Sequence, residues 1–193
     1  MDYDPASDLR ALEAMASNLT PYLYEKELYG VISNDLPRLT VGGLLMRLHR
    51  LEGLKNKLSE EQRQRLHDAR LNFEQLRSEW RSHYEDKVVQ ELNARLNNFS
   101  AFLEDYADDQ QRARSAYPAE ATHRIIIEQL RIEAEELELW EETDLEDKLY
   151  RLDRRLRGIL DRDDKMFVPP NGLQEVYPEE QYWWLYAYPE VDN

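Results

Sequence analysis

Apolar residues recur along most of this chain at steps of three and four, the spacing of one face of an α-helix. Asp4 and Pro5 open the first such stretch as cap and first helical residue, and Leu9, Leu12, Ala16 and Leu19 follow. The spacing predicts a helix to about Asn18, with Thr20 and Pro21 ending it or bending it into one more turn. Gly30, Asn34, Asp35 and Pro37 then mark a loop. Thr40 is an N-cap for a second helix with Leu44, Leu48, Leu51, Leu54 and Leu58 on its inner face.

Ser59 and Gln62 form a capping box, and no Gly or Pro follows until Pro118. Leu66, Phe73, Leu76, Trp80, Tyr84, Val88, Leu92, Leu96, Phe99, Leu103 and Tyr106 make a single stripe. An unbroken helix over 60–106 is roughly 70 Å long, against about 40 Å for a sphere of this chain length. The expectation is an elongated molecule, or a break at the weakest helical stretch, Asn97, Asn98 and Ser100. On the opposite, polar face, the pairs Glu61 with Arg65 and Glu91 with Arg95 have the i,i+4 order that supports a solvated helix.

Residues 107–116 read as a frayed end and turn, and Pro118 as the start of another helix with Ile126, Leu130, Ala134, Leu137 and Trp140 inward. Thr143 and Glu146 repeat the capping-box pattern ahead of Leu145, Leu149, Leu152, Leu156 and Ile159. After Pro169, Pro170, Asn171 and Gly172 the pattern changes: half of the twelve residues from Tyr177 to Tyr188 are aromatic. The predicted fold is all-α: an elongated antiparallel helical bundle of about five helices, one of them very long, with an extended aromatic C-terminal tail. Residues 1–172 form the bundle, and 173–193 form a tail docked on it.

Composition narrows the chemistry. Forty Asp and Glu against 25 Lys and Arg give a net charge of −15, which repels nucleic-acid backbones and anionic membranes. Arg151, Arg154, Arg155 and Arg157 lie among Asp147, Asp153 and Asp161, and pairs such as Asp147 with Arg151 and Asp153 with Arg157 mark a solvated face. There is no cysteine, so thiolate nucleophiles, thiolate metal sites and disulfides are excluded. The amino-terminal residues carry neither a basic start nor an apolar leader segment, which gives the expectation of a cytoplasmic protein.

Three constellations carry possible chemistry. Gly42 and Gly43 in the first turn of the second helix could cradle phosphate, but no P-loop Lys follows them, and close approach of another helix explains them better. Glu120 and His123 set a carboxylate and an imidazole on one helix face; a di-iron bundle needs a second such pair, so no metal or other cofactor is expected. Between Glu128 and Asp147 there are ten carboxylates and one arginine. Glu133 with Glu136, Glu138 with Glu141, and Glu141 with Asp144 have spacings like those with which all-α nucleotide pyrophosphohydrolases hold magnesium.

No serine stands in a nucleophile elbow. The expected function is therefore a structural or protein-interaction helical module without catalytic activity, self-associating or bound to a protein partner. Magnesium-dependent hydrolysis of a nucleotide or phosphate on the face near residues 133–144 is the alternative. Tyr182, Trp183, Trp184 and Tyr186 are the candidate partner-binding residues, because that many aromatics need cover from this chain or from another.

Overall fold

The computed structural model describes residues 2–140, 144–161 and 166–191. Among them the protein is mostly helical, with seven α-helices and one small antiparallel ribbon. The Asp4 carboxylate accepts from the Ala6 amide to open α1 (Pro5–Ser17), and a short α2 (Leu19–Tyr24) follows. Thr40 Oγ1 accepts from the Gly43 amide at the start of α3 (Val41–Gly53). The Ser59/Gln62 box is formed in both directions at the start of α4 (Glu60–Glu79).

The long stripe does not correspond to one helix. It divides into α4 and α5 (Arg81–Asp108) at Trp80, whose φ of −110° and ψ of 34° leave the helical basin. The two halves serve different neighbours: α4 packs on α1, whereas α5 packs on α6 (Gln110–Glu136) and α7 (Leu145–Ile159). Trp80 stacks edge-on against Tyr24 of α2 at the junction. Asn97, Asn98 and Ser100, where a break was expected, lie inside continuous α5.

Residues 107–116 are not a frayed turn either. Asp109 alone separates α5 from α6, and its carboxylate caps α6 by accepting from the Arg112 amide at 3.0 Å. Pro118, expected to restart the helix, sits within α6. The two helices form an antiparallel hairpin: Phe102 meets Tyr117 near the turn, and Gly42 of α3 is wedged farther along, where Glu91 faces Ile126 and Leu130. Each helix is about 40 Å long.

α6 is the central helix. Arg124 through Leu130 are all buried, a run that a one-sided helix cannot produce. Its axis is approached so closely by α3 that a Cβ on Gly42 would lie 2.4 Å from Ile126 Cγ2 and 2.9 Å from Leu130 Cδ1. The Gly42 position is thus a helix-crossing point, which is why only glycine fits there. The total accessible surface, 10635 Å², exceeds by about a tenth the ~9,700 Å² usual for a compact monomer of 23.1 kDa.

The C-terminal residues are folded into turns rather than extended. Tyr182 N–H reaches Pro178 O, a 3₁₀ turn spans Trp183–Leu185, and only Tyr188–Pro189 (β2) pairs as a strand, with Leu160–Asp161 (β1). Turns set Tyr182, Trp184 and Leu185 all inward, which strict strand alternation would forbid. The expected Thr143 cap lies outside the described residues, and the Asp144 side chain makes no cap at α7.

Candidate functional site

Tyr182 and Trp184, two of the four aromatics singled out in the tail, have almost no solvent exposure. The Trp184 indole donates to Ala121 O at 3.2 Å and its own carbonyl accepts from Tyr117 Oη at 2.6 Å. Its ring lies 4.2 Å from the Arg124 guanidinium carbon. Tyr182 Oη meets Gln129 Nε2 and His49 Nε2 at 3.2 Å each, and burial pushes its hydroxyl pKa up to about 12. Trp183 and Tyr186 are half-buried: Arg157 covers the Trp183 ring at 3.7 Å, and Tyr186 Oη donates to Tyr177 O.

The acidic stretch is bound up with arginines. Glu133 and Glu136 both engage Arg77, at 2.6 and 3.0 Å, and Glu128 is shared between Arg124 and Arg131. Burial raises the Glu133 pKa while Arg77 opposes the rise. Glu138 lies beyond the end of α6 in the left-handed conformation, φ 60°, and Glu141 is outside the described residues. Among the described residues no three His, Asp or Glu side chains are grouped to hold a metal ion. No described helix is long and apolar enough to cross a membrane.

Two of the pairs read as solvated have side chains turned inward, and a third is re-partnered at the surface. Asp153 turns inward to make a two-pronged bond with Arg124 at 2.9 Å and leaves Arg157 to Trp183. Arg65 crosses to make its hydrogen bonds with Glu13 of α1, at the surface, while Glu61 acts on it only through its charge. Glu91 and Arg95, placed by sequence on the polar face, are 0% and 8% exposed. Glu91 accepts from the Gly42 amide at 2.9 Å and from Arg95 Nε at 2.7 Å, so the amino terminus of α3 already holds an anion, supplied by the protein itself.

Arg95 also lines a surface cleft. This cavity of about 400 Å³ is bounded by Tyr29, Arg95, Asn98, Phe99, Glu120 and His123. His123 Nδ1 lies 3.3 Å from Glu120 Oε2 on its wall, so the E-x-x-H pair is placed at the mouth of a cleft. Asn98 and Glu120 also line a second cleft of about 360 Å³, with the buried Phe102 and Ala113 beneath the exposed Ala101, Ala116, Asp105, Asp108 and Asp109. The two clefts therefore adjoin as one groove along the α5–α6 hairpin.

Its poles differ. One has a buried guanidinium with aromatic walls; the other has three exposed carboxylates over an apolar floor, with Arg112 at its edge. An arrangement of this kind can hold an elongated ligand in a fixed polarity, but it offers no nucleophile with an adjacent base. Comparison with protein-family models, with curated proteins and with solved structures found no match.

Proposed function

We propose that the protein is a non-catalytic helical interaction module that receives a basic segment of a partner protein in the α5–α6 groove. The observation that carries this reading is the acidic pole: the exposed Asp105, Asp108 and Asp109 line a recess together with the buried Phe102 and Ala113. The aliphatic stem of an arginine or lysine suits the floor and its charged head suits the rim. The net charge of −15 adds long-range attraction for a basic chain and repulsion between copies of this one. Arg47, Arg50, Arg77, Arg95 and Arg124 are occupied by internal carboxylates, which leaves the acidic excess outside.

The test is titration of a short arginine–glycine peptide against the protein and against its D105N/D108N variant, followed by fluorescence anisotropy. Binding that weakens about tenfold or more in the variant, and weakens again with salt, supports the reading. Equal binding by both proteins overturns it. Sedimentation of the protein and of the variant decides the remaining arm: a stable dimer that the D105N/D108N substitutions dissociate would make the groove's occupant a second copy of this chain.

A further inference from the structure

We infer that the Arg95 end of the groove is a receptor for the terminal carboxylate of the bound segment, so that the partner is recognised by its basic C-terminus. This rests on the groove being a peptide site, but its own evidence is separate. The Arg95 side chain is 8% exposed and lines the cleft. Its Nε donates to Glu91 and its Nη2 to Thr40 Oγ1, at 2.7 and 3.3 Å, which fixes the guanidinium plane. Nη1 has no partner among the described residues and is reached by solvent. A guanidinium held this rigidly, with one nitrogen left over at the floor of a cleft, is a prepared donor for an acceptor brought from outside.

The chemistry of the walls narrows that acceptor. Glu91 already neutralises Arg95, and Glu120 stands on the wall, so a dianion such as phosphate meets about twice the repulsion that a single carboxylate does. The exposed Asn98 amide is placed on the same face as a further donor. Tyr29 and Phe99 supply the apolar sides that a terminal side chain would cover, and the Tyr29 ring already lies 5.8 Å from the guanidinium carbon.

The distance between the poles sets a register. Arg95, Asn98, Phe99, Phe102 and Asp105 succeed one another at helical steps of one face of α5, and ten residues of helix from Arg95 to Asp105 span about 15 Å. An extended peptide covers that in four to five residues at ~3.3 Å each. The preferred ligand therefore carries its arginine or lysine about four residues before a free C-terminal carboxylate.

Three probes test this: a peptide of Gly and Ser with one such arginine and a free C-terminus, the same peptide amidated, and N-acetylglycine as an isolated carboxylate. Binding is read from the arginine side-chain and His123 NMR resonances. Amidation is expected to weaken the peptide about tenfold or more, as loss of a charge-assisted bond does, and N-acetylglycine to shift the Arg95 resonance on its own. Asn98→Asp, an exposed substitution that leaves the Glu91–Arg95 pair intact, should weaken free-acid binding while sparing the amide. Equal affinity of acid and amide, with Asp105 still required, overturns the carboxylate inference and leaves the basic-segment reading standing. If neither peptide binds, the basic-segment reading fails and the recognition of a peptide C-terminus fails with it; a shift at Arg95 with N-acetylglycine then shows only that the cleft takes a small carboxylate.

Discussion

His49 illustrates what the dense packing does to a single titratable group. It packs beside the paired rings of Tyr177 and Tyr182, with Nε2 3.3 Å from Val176 O, and burial holds its pKa below the ordinary 6.5, with Arg50 acting in the same direction. A histidine depressed in the folded state leaves stability untouched above pH 6.5. As the pH falls below that value the unfolded chain takes up the proton first, and stability is lost until the folded pKa is passed. Between pH 7.5 and 5.5 the urea midpoint should decline in the native protein and flatten in His49→Gln. A decline of the same slope in both proteins would assign the pH dependence to other groups.

Arg95 and Glu91 show why the sequence misplaced part of the interior. An i,i+4 pair of opposite charges carries no mark of the face it occupies. Their positions do carry one, since Arg95 lies three residues after Leu92 and four before Phe99, on the apolar stripe itself. Arg124 is likewise three after Ala121 and three before Ile127, and it too is buried, held above its ordinary pKa by Asp153 and Glu128 although burial opposes its charge. Charged residues in phase with a core stripe were the available signal for the internal networks, and hence for the guanidinium at the floor of the groove.

Among the elements, those with a local chemical origin were legible: the Asp4, Thr40 and Ser59/Gln62 caps all form as their residue types require. The break at Trp80 was not, because Leu76, Trp80 and Tyr84 keep the four-residue step across it. Trp80 N–H still reaches Leu76 O and Tyr84 N–H reaches Trp80 O, at 2.9 and 3.0 Å, so the stripe stays in phase through the distortion. What divides the helix is a tertiary cause, the different neighbours of its two halves. The run Ile125–Ile127 did announce a helix covered on every side, which the choice of one inner face passed over.

The tail behaves energetically as an element of the core. Tyr177, Tyr182, Trp184 and Leu185 are buried, and Arg50 donates to Tyr177 Oη at 2.8 Å from the opposite side of the molecule's sequence. Large-to-small changes at such aromatics cost about 3–5 kcal/mol each, against a total stability of about 5–15 kcal/mol for a domain. Removal of residues 174–193 should therefore abolish the cooperative calorimetric transition, and Trp184→Phe should lower its midpoint without abolishing it. A truncated chain melting at the temperature of the full one would show that these contacts contribute no stability.

For the whole molecule the governing quantity is charge. Forty acidic residues against 25 basic repel one another in the compact state, and the inward arginines offset that only locally. Raising ionic strength from 0.01 M, where the screening length is about 30 Å, to 0.1 M, where it is about 10 Å, should raise the melting temperature by a few degrees. A fall over the same range would mean that the ion pairs contribute more than the net repulsion removes. The same change in salt should weaken capture of a basic peptide, so stability and binding are expected to respond in opposite directions.

The closure of α6 by the tail also orders events during synthesis. Trp184 docks on the carbonyl of Ala121 across 63 residues of chain, and Tyr117 waits 67 residues for the carbonyl it donates to. At about 5–20 residues per second a ribosome needs several seconds to deliver that cover. Throughout that interval Arg124 and the apolar surface around it stand open on the nascent chain, and a polypeptide released early keeps them so. Completion of the fold thus reports completion of translation through Trp184, and a prematurely terminated copy presents the bare centre of α6 as a ready signal for chaperones and proteases.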